Sequence, residues 1–209
     1  MKIATLGAGR MTAALAPHWI AAGHDVMIGG RTHAKADALA QRLGVRSGTL
    51  AEAAAFGDVV VLAVLYAGVD ATLDAVGDAL RGKVVIDLTN PVDTERFLLK
   101  TPPGTSVAEL IAQRTGARVV KALHLVHGDV FARHARYDGR PLVVPVAGDD
   151  AAANAIVSEL VRDLGAEPLD AGGLEQARNL EAMAAVIIRL LYRGAPPLSA
   201  FQLAVGSPT

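Results

Sequence analysis

"TLGAGRMTAAL", Thr5–Leu15, is the stretch on which the fold turns. It follows the apolar run Lys2–Leu6 and carries two glycines, Gly7 and Gly9, with Thr12 where a third would complete G-x-G-x-x-G. A strand, a glycine turn and a helix from Met11 to Ala22 make the first βα unit of a dinucleotide-binding sheet. In that reading Gly7 permits the tight turn and Gly9 lets the backbone approach a pyrophosphate. The first N–H groups of the helix, with its dipole, then hold the phosphates. Thr12 is larger than glycine but small, with Ala13 and Ala14 beside it, and its hydroxyl can donate to a phosphate oxygen. The plain alternative is a tight bend that binds nothing.

The pattern continues outward from this turn. Asp25–Ile28 reads as a second strand, and Thr32 opens a helix to about Leu43. "DVVVLAV", Asp58–Val64, is apolar throughout and rich in β-branched residues, as a parallel strand covered on both faces should be. "KVVIDL", 83–88, and Arg118–Lys121 follow as strands, with Leu142–Ala147 and Glu167–Asp170 after them. "TLAE" at 49–52 and "SVAE" at 106–109 are capping boxes that open helices. Leu174–Arg193 is the longest helix, and Pro196-Pro197 forbids its continuation. Strands alternating with helices predict an α/β fold with a doubly wound, mostly parallel sheet. One domain over residues 1–209 is expected, with about 150–209 as a strand–helix extension of the same sheet.

Composition narrows the partners. The chain has 209 residues, 20 basic and 21 acidic, for a formal net charge of -1, which gives no support for nucleic acid as a partner. There is no cysteine, so disulfides, thiolate metal sites and cysteine nucleophiles are excluded. No segment reads as a signal peptide or a membrane span. A soluble, cytoplasmic protein is the expectation.

The cofactor is read at the end of the second strand. An NAD site needs a carboxylate there for the ribose 2′-hydroxyl. The chain instead has Gly29-Gly30-Arg31-Thr32, with Lys35 one turn on. Cations are unfavourable in a helix's first turn unless something else holds them. Arg31, Thr32 and Lys35 suit a 2′-phosphate, and NADP(H) is the expected cofactor.

Seven blocks now suggest a family: "TLGAGRMTAALA", "IGGRTHAKADAL", "DVVVLAVLYAGV", "VIDLTNPV", "VVKAL", "VPVAGDDAAA" and "DAGGLEQARNLE". In this order they resemble the NADPH-dependent reductases of the deazaflavin coenzyme F420, over nearly the whole chain. The resemblance implies a Rossmann-type domain, commonly dimeric, that transfers hydride between the nicotinamide and a deazaflavin co-substrate. It implies that Gly7, Gly9, Arg10, Met11 and Thr12 lie along the pyrophosphate, and that Arg31, Thr32 and Lys35 hold the 2′-phosphate. Val64, Leu65 and Tyr66 would border the ribose and nicotinamide, with Asn90 and Pro91 near the nicotinamide. The chain departs from the family at Thr12, at Leu65 in place of a proline, and at "KALHLVH", 121–127, where His124 replaces an asparagine.

Hydride transfer between the nicotinamide and a deazaflavin, or another flavin acceptor, needs orientation in a dry pocket more than an acid or base. Reduction of a small carbonyl or imine would need a proton donor, and His124 or His127 is the candidate for that alternative. A metal on His124, His127 and Asp129 lacks further clustered ligands, so no metal site is assigned. A non-catalytic NADP-binding sensor is the third reading. Lys121 reads as a strand-end residue and Asp87 as a loop-fixing one. In the last helix Ala182–Ile188 is apolar on every side, which predicts a homodimer covering the face the domain leaves bare.

Overall fold

In the computed structural model, residues 1–133, 135–137 and 139–200 are described. The chain runs β1 (Lys2–Leu6), α1 (Arg10–Ala21), β2 (Asp25–Gly29), α2 (His33–Leu43), β3 (Arg46–Gly48), α3 (Leu50–Phe56), β4 (Val59–Leu62), α4 (Val69–Val76), β5 (Val84–Asp87). The short hairpin β6 (Val92–Asp93) and β7 (Leu98–Leu99) precedes α5 (Val107–Thr115), β8 (Arg118–Lys121) and α6 (Gly128–Phe131). A second hairpin, β9 (Arg136–Tyr137) and β10 (Arg140–Pro141), leads to β11 (Val143–Val146), α7 (Ala151–Asp163), β12 (Glu167–Asp170) and α8 (Ala177–Tyr192).

Six strands form one sheet in the order β3-β2-β1-β4-β5-β8. Every pairing in it is parallel: Ile3 lies beside both Val26 and Val59, and Val85 beside both Val60 and Val119. The order reverses between β1 and β4, so a crevice opens beyond their carboxyl ends. The alternation of side chains divides the core. Ile3, Val59 and Val61 face one layer, with Leu15, Trp19 and Leu160, while Ala4, Leu6, Val60 and Leu62 face the other, with Leu73 and Ile111. Few aromatics are available, so aliphatic side chains fill both layers. Each fully buried Leu or Ile contributes about 1.5–3 kcal/mol. Trp19 is fully buried and donates its indole N–H to the Leu160 carbonyl at 3.1 Å, which ties α1 to α7.

Both capping boxes form. Thr49 and Glu52 exchange bonds at the start of α3, and Ser106 and Glu109 do so at the start of α5. The extension differs from the expectation of one continuous sheet. β11 and β12 pair in parallel with each other, and one antiparallel bridge, Lys121 to Ala147, joins them to β8. That bridge carries both backbone bonds, at 2.8 and 3.1 Å. The longest helical segment also breaks in two, a 3-10 turn over Leu174–Gln176 and then α8. Residues 201–209, the end of the expected extension, lie outside the described residues.

Candidate nucleotide and hydride-transfer cleft

The glycine turn sits at the switch point. Gly7 donates its N–H to the Gly29 carbonyl at 2.8 Å and has φ +122°, a conformation that favours glycine. A Cβ there would collide with the Ala63 carbonyl oxygen at the end of β4 and stand 3.3 Å from Val64 Cγ1. Gly9 precedes α1, and a Cβ on it would meet nothing within 4 Å. No side chain caps α1 and no acid lies in its first turn, so no side chain takes the place of an anion at its leading N–H groups. Thr12 behaves differently from the sequence expectation. It is 1 % exposed and donates its hydroxyl to the Gly7 carbonyl at 2.5 Å, bracing the turn from beneath.

Above the turn lies a cavity of about 480 Å³, lined by Gly7, Gly9, Arg31, Thr32, Lys35, Val64 and Leu65 among others. Arg31, Thr32 and Lys35 are exposed at the start of α2. Thr32 is the N-cap residue, yet its hydroxyl makes no capping bond. Neither cation forms a side-chain hydrogen bond or ion pair with another described residue, although nearby helix N–H groups disfavour positive charge. These three side chains are thus free to meet an anion. The residues fit a pyrophosphate with an additional phosphate at the α2 end: a glycine cradle, an uncapped helix start and two uncommitted cations.

A second cavity of about 690 Å³ shares Gly9, Val64, Leu65 and Ala67 with the first. It continues over the sheet edge past Arg10, Met11, Tyr66, Leu88 and Asn90 to Ile188 and Tyr192 of α8. A third, of about 200 Å³, adjoins it at Arg10, Met11, Asn90 and Ile188, and is bounded by His124 and His127. Pro91 and Thr12 line none of the three. Pro91 instead accepts from the Lys100 N–H at 2.7 Å and anchors the β6–β7 hairpin. Leu65 is 86 % exposed at the junction of the two larger cavities.

At the far end, Asn90 Nδ2 donates to the His124 carbonyl at 2.9 Å. His124 follows Leu123, which holds φ +63°. Its buried ring nitrogens make no hydrogen bond of normal geometry. Burial holds the imidazole well below its ordinary pKa, and the Lys121 charge adds to that effect. His124 is therefore neutral at pH 7 and has no imidazolium proton to give. Arg10 Nη1 stands 2.9 Å from His127 Nε2, and since guanidinium only donates, Nε2 accepts. Among the described residues, no three His, Asp or Glu side chains are grouped to hold a metal ion.

One cluster escaped the sequence reading. Lys121 lies 2.8 Å from Asp87 and 3.1 Å from Glu181, with all three side chains fully buried. Asp87 does fix its loop, accepting from Thr89 N at 2.9 Å and Thr89 Oγ1 at 2.7 Å. Lys121 does end β8, with its side chain fully buried. Glu181 carried a signal, since it falls on the same helix face as Ala177, Ala184 and Ala185, a face the sequence otherwise keeps apolar.

Comparison with known proteins joins this geometry to sequence. Residues 2–91 match the family model "NADP oxidoreductase coenzyme F420-dependent". The F420-dependent NADP reductase of Methanothermobacter marburgensis is 32% identical over 214 residues, covering 91% of this chain and 92% of that protein. A crystal structure from Arthrobacter sp. FB24, provisionally assigned as an F420-dependent NADP-reductase, superposes with a TM-score of 0.87 at 30% identity, covering 98% of this chain and 100% of that one. Metalloreductase STEAP3 of Rattus norvegicus is 29% identical over 182 residues, covering 87% of this chain, which spans only 36% of that protein's length.

Proposed function

The chain belongs to the F420-dependent NADP reductase family, and from that premise we propose how its cleft works. It is an NADP-dependent oxidoreductase that passes hydride between NADP(H) and the deazaflavin F420. When bound, the nicotinamide and the deazaflavin supply and receive the hydride. The protein supplies their placement. Gly7 and Gly9 bring the backbone to the pyrophosphate, and the start of α1 holds it with Arg10 and Met11 alongside. Thr12 acts at one remove by fixing the Gly7 carbonyl. Arg31, Thr32 and Lys35 hold the 2′-phosphate. Val64, Leu65 and Tyr66 border the ribose and nicotinamide, and Met11, Leu88, Ile188 and Tyr192 exclude water from the ring stack. Asn90 closes the far end, with Pro91 holding the loop behind it.

The single observation that carries this reading is the pair of uncommitted cations, Arg31 and Lys35, at the α2 end of the cleft. The neutral state of His124 agrees with it: transfer between two rings needs no acid, whereas reduction of a carbonyl or imine does. The enzyme works as a cytoplasmic homodimer. Met183, Val186 and Leu190 form an exposed apolar stripe on α8, 43, 54 and 45 % exposed, which a second copy covers. Among the described residues no helix is long and apolar enough to cross a membrane.

The test is a calorimetric titration with NADPH and NADH, followed by mixing with F420. The deazaflavin's visible absorbance should bleach with NADPH. Charge-assisted bonds contribute about 1.5–3 kcal/mol each. Solvent at this exposed site lowers that, so Arg31→Ala should weaken NADPH about tenfold and leave NADH unchanged. Equal affinity of the wild-type protein for both cofactors would remove the assignment.

A further inference from the structure

Three of the blocks that mark the family each contribute a charge to one buried cluster: Asp87 in "VIDLTNPV", Lys121 in "VVKAL" and Glu181 in "DAGGLEQARNLE". They stand 34 and 60 residues from one another along the chain and meet in space. We propose that Asp87, Lys121 and Glu181 form a positioning strut that sets α8 against the Thr89–Asn90 loop and thereby fixes where the hydride acceptor stacks. None of the three touches the rings. The inference rests on the hydride-transfer reading above.

The geometry is saturated. The three N–H groups of Lys121 go to Asp87 Oδ2 at 2.8 Å, the Thr89 carbonyl at 2.5 Å and Glu181 Oε1 at 3.1 Å. Asp87 uses its other oxygen on Thr89 N and Oγ1. Glu181 also accepts from Val107 N at 3.0 and 3.1 Å and from Ala108 N at 3.4 Å, capping α5 from outside that helix. One lysine therefore joins β8 to the floor loop that carries Asn90 and to the roof helix. Two turns on from Glu181, about 10 Å along α8, Ile188 reaches the cavities that Asn90 also lines. Floor and roof of the transfer site thus share one anchor.

A purely stabilising role is poorly served by this arrangement. Burying ions costs several kcal/mol each before pairing offsets it, and apolar residues of similar volume often hold a core as well. Two carboxyl groups face one ammonium, and the first N–H groups of α5 add a partial positive charge beside Glu181. Burial pushes the Glu181 carboxyl upward and the Asp87 charge adds to this, while Lys121 and the Val107 N–H oppose it. What the ions supply, and apolar residues cannot, is a fixed direction between two elements that both border the rings.

The experiment compares Glu181→Gln with Leu160→Ala, a buried change in α7 remote from the cleft and chosen to lower Tm by a comparable amount. Expected for Glu181→Gln is at least a tenfold loss in kcat/KM for the acceptor, with the NADPH Kd within twofold. Leu160→Ala should change neither. Acceptor kinetics within twofold of wild type, or an NADPH Kd that rises as much as the acceptor KM, would overturn the proposal. If Glu181→Gln does not fold, Thr89→Val removes only the hydroxyl bond to Asp87. It should give a smaller acceptor defect in the same sense, and unchanged kinetics would overturn the strut. Should the wild-type protein reduce no deazaflavin, the hydride-transfer reading fails by itself, and hydrogen exchange reads the strut. Glu181→Gln, or Thr89→Val in its place, should raise exchange in 88–91 and 182–192 together and leave 5–15 unchanged. A rise confined to the start of α5 would overturn it.

Discussion

Two alanines in one turn should separate stability from binding. Gly7 holds φ +122°, and a Cβ there meets the Ala63 carbonyl oxygen and lies 3.0 Å from its carbon. That backbone conformation costs a side chain about 1–3 kcal/mol. Pushing a methyl into closed backbone adds about 1–3 kcal/mol, because β4 cannot withdraw without disturbing the β1–β4 ladder. Gly7→Ala should therefore lose about 2–6 kcal/mol, or roughly 5–20 °C of Tm in a domain of this size. Gly9 is the opposite case. Its φ of -97° and ψ of -166° suit any residue, and a Cβ would meet nothing within 4 Å. Gly9→Ala should leave Tm unchanged or raise it slightly, since alanine restricts the unfolded chain. Its methyl would nevertheless stand where the two larger cavities join, at the proposed pyrophosphate. Losing one backbone N–H bond to a phosphate costs about 1.5–3 kcal/mol, a ten- to hundredfold weaker Kd. Differential scanning fluorimetry and NADPH calorimetry on both variants decide the matter. Wild-type NADPH affinity in Gly9→Ala would refute the placement of the phosphates, and an undiminished Tm in Gly7→Ala would refute the packing of the turn.

Three more outcomes are expected. The Arg178 guanidinium, bonded to Glu109 at 2.9 Å, holds that carboxyl down at about 2, with Ser106 assisting. A depressed folded pKa stabilises above the unfolded value of 4.5 and is lost as pH falls toward 2, so acid unfolding of Glu109→Gln should show a shallower decline in that window. The pair is partly exposed, so the difference should be below about 1 kcal/mol by urea titration. Val186→Glu places a charge in the exposed stripe of α8 and should yield monomers in sedimentation velocity with Tm nearly unchanged; persistent dimers would move the interface elsewhere. His124→Asn should leave the pH profile of kcat/KM at and above pH 7 unaltered in shape, because burial keeps the imidazole neutral there. A limb that disappears in the variant would restore His124 as a proton donor.

Much of this fold was legible because its determinants are local. The run Val59–Leu62 is buried along its whole length, the capping boxes at Thr49 and Ser106 form, and the glycine turn follows β1 directly. Arg31 and Lys35 line the cavity above the glycine turn because the end of β2 fixes where α2 begins, a position that a count of residues along the chain reaches. The misreadings were of pairing choices that no window of sequence contains. Leu142–Ala147 reads as a sheet strand and Val143–Val146 is one, but its partner is β12, with β8 reached through one bridge. The hydroxyl of Thr12 reads as a donor to a phosphate, yet it donates to the Gly7 carbonyl.

The buried triad shows the same limit with more at stake. A lysine at the end of a strand ordinarily extends its ammonium into water. Asp87 and Lys121 are paired residues in the β5–β8 register, so a correct strand order alone would have placed them side by side. Glu181 arrives from 60 residues away, on a helix whose apolar face should reject it. A carboxylate tolerated there requires a partner, and the nearest unassigned cation at that sheet end is Lys121. Charges set inside apolar periodicity are therefore best read as halves of a contact whose other half lies elsewhere in the chain. Here the contact leads to α8 and to the loop of Asn90, two walls of the proposed transfer site.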